Sequence, residues 1–285
     1  MSAVAMESAA ARRNIEQLCL SDPRPTTAVA PPAQEYDRLA RQELVYPGFF
    51  TREYMNFGYW ELSTDSRREA SDNLMRRLTD HATPAPDSVL DVACGLGATT
   101  RYLTERWTSA RVHGINISQA QTAASRSNAP QCTFSVMDAS TLGFADESFA
   151  AVFCVEAAFH FHTRGSFLRE AFRVLKSGGT LVLTDLLLHE AGHDLLPTWQ
   201  RSNYVPSLQA YATAVKALGF SRVEVIDITE QGLLGYLRFM FRRVHDDWLA
   251  GMCDYRQLQL ALRILHRIAA THRFNIACVA HKDSR

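Results

Sequence analysis

The chain has 285 residues, enough for one large α/β domain with insertions or for two small domains. Thirty basic residues balance thirty acidic ones, so the summed charge carries no footprint of nucleic-acid or anionic-membrane binding, although a local basic patch is compatible with it. No apolar run approaches the roughly 18 residues of a membrane span. Glu7 and Glu16 interrupt the start, so no signal peptide is expected. Six scattered cysteines without a CxxC pair argue against zinc and structural disulfides, which makes a cytoplasmic protein the expectation.

In chain order, residues 1–35 read as a flexible segment. AMESAAARRNIEQLCL has helical character, and SDPRPTTAVAPPAQ is a proline-rich linker. The alternative is a helix that docks on a neighbouring subunit, which would make the protein a homo-oligomer. From 36 to 82 the pattern is helical, broken by the aromatic turn YMNFGYW at 54–60. Then strands and helices alternate. SVLDVA (88–93), RVHGIN (111–116), QCTFSVMD (131–138), FAAVFCVE (149–156) and TLVLTDLLL (180–188) read as buried strands. TRYLTERW (100–107) and QAQTAASRS (119–127) are helical. SFLREAFRVLKSGG (166–179) is the best helix, with Gly178 and Gly179 as its stop. A helix at 208–220 and a strand at 222–229 follow. About forty lipophilic helical residues, 231–270, precede a last strand at 274–282. The expected fold is α/β: a mostly parallel sheet with helices on both faces and a helical cap, with insertions at about 188–207 and 231–270.

The chemistry centres on VLDVACGLGATTRYL (89–103). A buried strand carries Asp91, and Gly95 and Gly97 then open onto a helix. Glycine lets backbone approach a ligand at the carboxyl end of a strand. A carboxylate inside the strand end suits a cationic ligand group and would repel a pyrophosphate. Read alone, Asp91 is either a ligand group or a cap of the following helix. The second constellation is CVEAAFHFH (154–162), where His160 stands between Phe159 and Phe161 after Glu156. His160 is either a packed core side chain or a base in a dry pocket.

VLDVACGLG resembles the first motif of class I S-adenosylmethionine-dependent methyltransferases. GINISQAQ (114–121), FSVMDASTLGFADESFAAVFCVEAAFHF (134–161) and FLREAFRVLKSGGTLVLTD (167–185) resemble the later motifs in family order over 36–285. NFGYW resembles the lid of a small-molecule branch that includes sterol and tocopherol C-methyltransferases, erythromycin-sugar O-methyltransferases and tailoring enzymes of terpenoid indole alkaloids. The resemblance implies a Rossmann-like seven-stranded sheet, S-adenosyl-L-methionine as cofactor and S-adenosyl-L-homocysteine as product.

It also implies residue roles. Asp91 faces the methionine ammonium, and Ala93 (a family glycine), Gly95 and Gly97 admit the methionine part. Asn116, where the family has an acid, shares the ribose with Gln121. Ile117 lines the adenine, and Asp138 accepts its amino proton beside Met137 and Ala139. Tyr59 and Val155 complete the cofactor set. His160 is the candidate base, with Glu156 and Asp185 as supporting carboxylates. Asp138 as a turn cap and Asp185 as a solvated strand end are the bland alternatives. Phe159, Phe161, Trp199, Tyr204, Phe239 and Trp248 are expected to line a pocket for a bulky hydrophobic acceptor, methylated at an oxygen or at a prenyl carbon. Two other readings stand beside this one: a nicotinamide oxidoreductase, which Asp91 and the glycine spacing disfavour, and a non-catalytic cofactor-binding subunit.

Overall fold

The computed structural model describes residues 54–190 and 201–283. The 1–35 segment and Trp199 therefore lie outside the described residues. Seven strands form one sheet in the order β3-β2-β1-β4-β5-β7-β6. They are β1 (Ser88–Val92), β2 (Arg111–Asn116), β3 (Thr133–Val136), β4 (Phe149–Val155), β5 (Leu175–Leu188), β6 (Arg222–Asp227) and β7 (His272–His281). Only β7 runs against its neighbours, pairing antiparallel with both β5 and β6. The helices are α1 (Arg67–Asp80), α2 (Ala98–Arg106), α3 (Gln119–Asn128), α4 (Arg164–Val174), α5 (Leu208–Lys216), α6 (Gly235–Leu249) and α7 (Tyr255–Thr271).

The strands are buried on both faces, which explains their unbroken apolar sequence. Alternation along β1 sends Leu90 and Val92 into a core covered by α4 and α5, through Phe167, Leu168, Ala171, Tyr211 and Val215. Val89 faces the opposite core, covered by Leu74, Met75 and Leu78 of α1 and Leu103 of α2. Asp91 shares the Val89 face by the same period of two, so it points toward the start of α2. A third core joins α6 and α7 through Tyr236, Met240, Val244, Leu258, Ala261 and Leu265, with Phe57 and Trp60 packed against it.

One sequence expectation needs correcting. The helix read at 166–179 spans Arg164–Val174, because the Thr163 side chain accepts from Ser166 N and caps it earlier. Leu175, fully buried, already belongs to β5 and pairs with Phe149. Gly178 and Gly179 therefore sit within this long strand, next to a register shift between Phe149 and Ala151, and they do not stop a helix. YMNFGYW is an irregular segment. Its backbone is tied to α1 by Tyr59 N donating to Ala70 O (2.7 Å) and to the cap by Trp60 N donating to Gln231 O (2.9 Å). Trp60 also stacks on Phe239 of α6, 4.5 Å between ring centroids. Gly235 permits that contact, since a Cβ there would come within 2.6 Å of Trp60.

Candidate functional site

The chain order reverses between β1 and β4, and open α/β sheets bind ligands outside the carboxyl ends of the strands at such a point. The predicted cofactor residues gather there from four adjacent strands: Asp91 to Gly97 after β1, Asn116 to Gln121 after β2, Met137 to Ala139 after β3, and Val155 after β4.

Asp91 is buried, and its Oδ2 accepts hydroxyl protons from Thr99 and Thr100 of α2, both at 2.6 Å. Burial raises its pKa to about 6, against the pull of those two hydroxyls. The carboxylate is thus held without a cationic partner among the described residues. Ala93 adopts φ +58°, which explains why the related motif carries glycine there. Gly97 is at φ +90°, and a Cβ there would come within 2.9 Å of Ser125, so α2 and α3 approach closely only because it is glycine. Among the described residues a Cβ on Gly95 would meet only Met55 Sδ, at 3.7 Å, which leaves room for a ligand beside the strand end. This donor set fits the methionine end of S-adenosylmethionine: a carboxylate for the ammonium and bare backbone beside it.

Asn116 is buried at the end of β2. Its Nδ2 donates to Gln121 Oε1 (2.8 Å) and its Oδ1 accepts from Ser118 N (3.0 Å). The neutral amide holds its own turn and orients Gln121, whose Nε2 lies 3.7 Å from Met55 Sδ. Ile117 is half-buried beside them. Asp138 is exposed and its Oδ1 accepts from Ser140 N (2.7 Å), an Asx turn. Met137 is half-buried and Ala139 buried at that turn. Tyr59 lies in the segment tied to α1 and to the cap. Its ring lies under the Arg77 guanidinium (4.1 Å) and borders a recess of about 550 Å³ with Trp60, Glu61, Phe239 and Arg242, none of them in the cofactor motifs. Met55 lies over Gly95 and Gln121.

Val155, half-buried, ends β4, and Glu156 follows at φ +50°, an uncommon conformation for a glutamate. Its backbone N donates to Thr184 O (3.1 Å) and Oγ1 (3.0 Å), which fixes the turn against β5. Its carboxylate accepts from Phe57 N (2.9 Å) and Asn275 Nδ2 (3.1 Å), tying the lid segment and β7 to the strand end. Burial raises the carboxyl pKa to about 7 against those two donors and nearby Arg67. Asn275 Oδ1 is buried without a hydrogen-bond partner next to this group. A protonated Glu156 supplies the donor that a turned amide would need.

His160 sits in a 3₁₀ turn, Ala158–His160, its ring 3.8 Å from that of Phe159. Burial, then the neighbouring His272 and Arg164, lower its pKa to about 3, so it is uncharged at neutral pH. Asp185 is neither a solvated strand end nor an orienter bonded to His160. It is fully buried and takes Arg164 Nε at 2.6 Å, Tyr211 Oη at 3.0 Å and Leu186 N at 2.9 Å. Arg164 also donates to the carbonyls of Leu186 (2.8 Å) and Asn203. Asn203 in turn donates to Phe161 O (2.8 Å) and Phe159 O (3.4 Å), bracketing His160, and accepts from Arg164 N (2.8 Å).

Phe159 is buried, and Phe161 packs edge-on against Phe167. Tyr204 is half-buried beside Asn203 in sequence. Phe239 stacks on Trp60, and Trp248 is 41% exposed at the end of α6. Three contributors were missed: Met55, Asn203 and His272. His272 is buried. Its Nδ1 lies 2.9 Å from Ile268 O, which can only accept, so the ring proton is on Nδ1. No local motif marks any of the three.

Sheet order, glycine loop and buried carboxylate define a class I S-adenosylmethionine-dependent methyltransferase. A model of a methyltransferase domain matches residues 90–183. Erythromycin 3''-O-methyltransferase of Saccharopolyspora erythraea is 32% identical over 216 residues, 68% of this chain and 70% of that one. The chain therefore belongs to the S-adenosylmethionine-dependent methyltransferases, in their small-molecule branch. Among solved structures, the [4+2]-cyclase SpnF superposes with TM-score 0.70 at 22% identity, covering 92% of this chain and all of that one. Geranyl diphosphate C-methyltransferase from Streptomyces coelicolor A3(2) gives 0.64 at 15%, covering 90% and 100%. Among the described residues no helix is long and apolar enough to cross a membrane, and no cluster fit for a metal ion is present.

Proposed function

We propose that this methyltransferase acts on a bulky hydrophobic secondary metabolite, at a hydroxyl or at a prenyl carbon, with His160 as the base. The observation that carries the reading is the half-buried, uncharged His160 in the turn at the carboxyl end of β4, against Phe159. Bound S-adenosylmethionine supplies an electrophilic methyl group. The chain has to align the acceptor, exclude water and take up one proton. Asp91 and the Ala93–Gly97 backbone would hold the methionine part, Asn116, Ile117 and Gln121 the ribose and adenine side, and Asp138 with Met137 and Ala139 the adenine edge.

The low basicity of His160 sets the timing. Deprotonating a free hydroxyl with so weak a base is strongly uphill. Once the methyl group bonds, the acceptor oxygen or carbon becomes strongly acidic and gives up its proton readily. His160 therefore acts late, during or after methyl transfer, in either chemistry. Phe159 and Phe161 line the acceptor side, where their ring faces favour a cationic intermediate. Glu156 holds Phe57 of the lid in place and keeps a negative charge in reserve near the reacting centre.

The test uses methyl-labelled S-adenosylmethionine with two acceptors of the kinds that similar proteins methylate, a macrolide with a free sugar hydroxyl and geranyl diphosphate. His160→Ala should lower turnover on the accepted one by roughly 10²–10⁴-fold, with S-adenosylhomocysteine affinity nearly unchanged. Undiminished turnover in that variant removes His160 as the base.

A further inference from the structure

The tip of the α6–α7 hairpin concentrates exposed apolar surface. Eight large apolar side chains stand out as exposed among the described residues, and five of them fall within thirteen positions: Trp248, Leu249, Met252, Tyr255 and Leu260. Leu249 is 75% exposed, Met252 64% and Tyr255 61%. Single exposed apolar residues are ordinary, but a contiguous group at the end of a rigid hairpin marks an interaction surface. Its rigidity comes from the α6–α7 core and from the Asp254–Gln257 capping box that starts α7.

The charge beside it is mainly basic. Residues 235–271 hold six arginines against three aspartates, although the whole chain is balanced. Arg238 is taken by Glu230 and Arg243 by Asp247, both at 2.8 Å, while Asp254 caps α7 and Asp246 is exposed. Arg256, Leu260 and Arg263 follow a helical i, i+4, i+7 spacing, so two exposed arginines flank an exposed leucine on one outward face. Neither Arg256 nor Arg263 has an ion pair among the described residues.

From this arrangement we infer that the α6–α7 tip docks on an anionic lipid bilayer. Leu249, Met252 and the aromatic rings of Trp248 and Tyr255 enter the headgroup region, and Arg256 and Arg263 meet the lipid phosphates. A second copy of the chain is the poorer occupant, because a two-fold contact through this face would set the same arginines against each other. The inference does not depend on the acceptor's identity. A lipophilic acceptor dissolved in the bilayer would gain a route into the enzyme.

The experiment is co-sedimentation of the full chain with vesicles of phosphatidylcholine alone and of phosphatidylcholine mixed with phosphatidylglycerol. Sedimentation is expected with the anionic vesicles only, and should weaken as salt is added. Arg256→Gln/Arg263→Gln should reduce partitioning on the order of 30-fold, and Leu249→Ser/Met252→Ser roughly 10-fold or more. Both variants should melt as the parent does, since these side chains lie outside the folded cores. The proposal is overturned if the parent stays in the supernatant, if neutral vesicles bind equally, or if neither variant changes partitioning. It is likewise overturned if the parent ignores vesicles and forms a dimer that Leu249→Ser/Met252→Ser dissolves, which would assign the tip to a second copy.

Discussion

Asp91 and Glu156 are carboxyls whose charge the fold disfavours. Asp91 is buried and Glu156 half-buried, and both are pushed up, to about 6 and about 7, mainly by loss of water. A cationic ammonium facing Asp91 would favour its ionised form, so binding should release a proton near pH 6. S-adenosylhomocysteine affinity should therefore tighten from pH 5 to pH 8. Calorimetry in buffers of different ionisation enthalpy measures both effects, and a flat profile would separate Asp91 from the ligand. Ala93 offers a second test at this scale. Its left-handed backbone costs an alanine about 1–2 kcal/mol, and glycine returns part of that gain through a looser unfolded chain. Ala93→Gly should raise Tm by roughly 1–3 °C, read by calorimetry.

At the scale of elements, the turn that carries His160 is held from outside. Asn203 bonds the carbonyls on either side of it, and Arg164 and Asp185 hold Asn203 against β5. Misplacing a reacting group by about 1 Å can cost 10²-fold in rate. Asn203→Ala should thus lower kcat roughly 10- to 100-fold while S-adenosylhomocysteine affinity stays put. Asn203→Asp, which keeps the acceptor for Arg164 N but loses the donors, should behave alike in steady-state assays. Comparable loss of cofactor affinity would indicate general unfolding instead. This network also marks where sequence reading stops. The strands and the motif at 89–97 were legible because they depend on local periodicity and spacing. Asn203, His272 and Met55 reach the site from 40 to 112 positions away from the motif residues they join, through contacts that no local pattern encodes. The early end of α4 was missed because Leu175 is as apolar as a helix-face residue, and only its pairing with Phe149 makes it a strand residue.

For the whole molecule, buried titratable groups pull stability in opposite directions. The Glu156 carboxyl has a folded pKa of about 7, above its ordinary value of 4.5. Its contribution is complete below 4.5 and is lost as pH rises through 7. His160 and His272 are lowered to about 3 and about 4. Their contribution is present above 6.5 and is lost as pH falls through those values. Asp91, raised to about 6, adds to the Glu156 side, so between pH 4.5 and 6 the two carboxyls offset the two histidines and the stability of the parent should vary little there. Glu156→Gln removes one carboxyl from the balance. Relative to the parent, it should gain on the order of 2–3 kcal/mol between pH 5 and pH 8, measured by denaturant unfolding at both. A constant difference would count against a neutral Glu156 in the folded ligand-free enzyme.

The α6–α7 hairpin leaves the sheet after Asp227 and returns before Ile276, and these two residues face each other in the β6–β7 register. Its entrance and exit are therefore adjacent, and the four strands that carry the predicted cofactor residues, β1 to β4, run past without entering it. Such an insert is a cassette. Lineages can lengthen, shorten or exchange it without re-threading the sheet, provided that the 54–60 segment, stacked on it through Phe57 and Trp60, is exchanged with it. Such an exchange would leave the strands that carry the cofactor motifs in place.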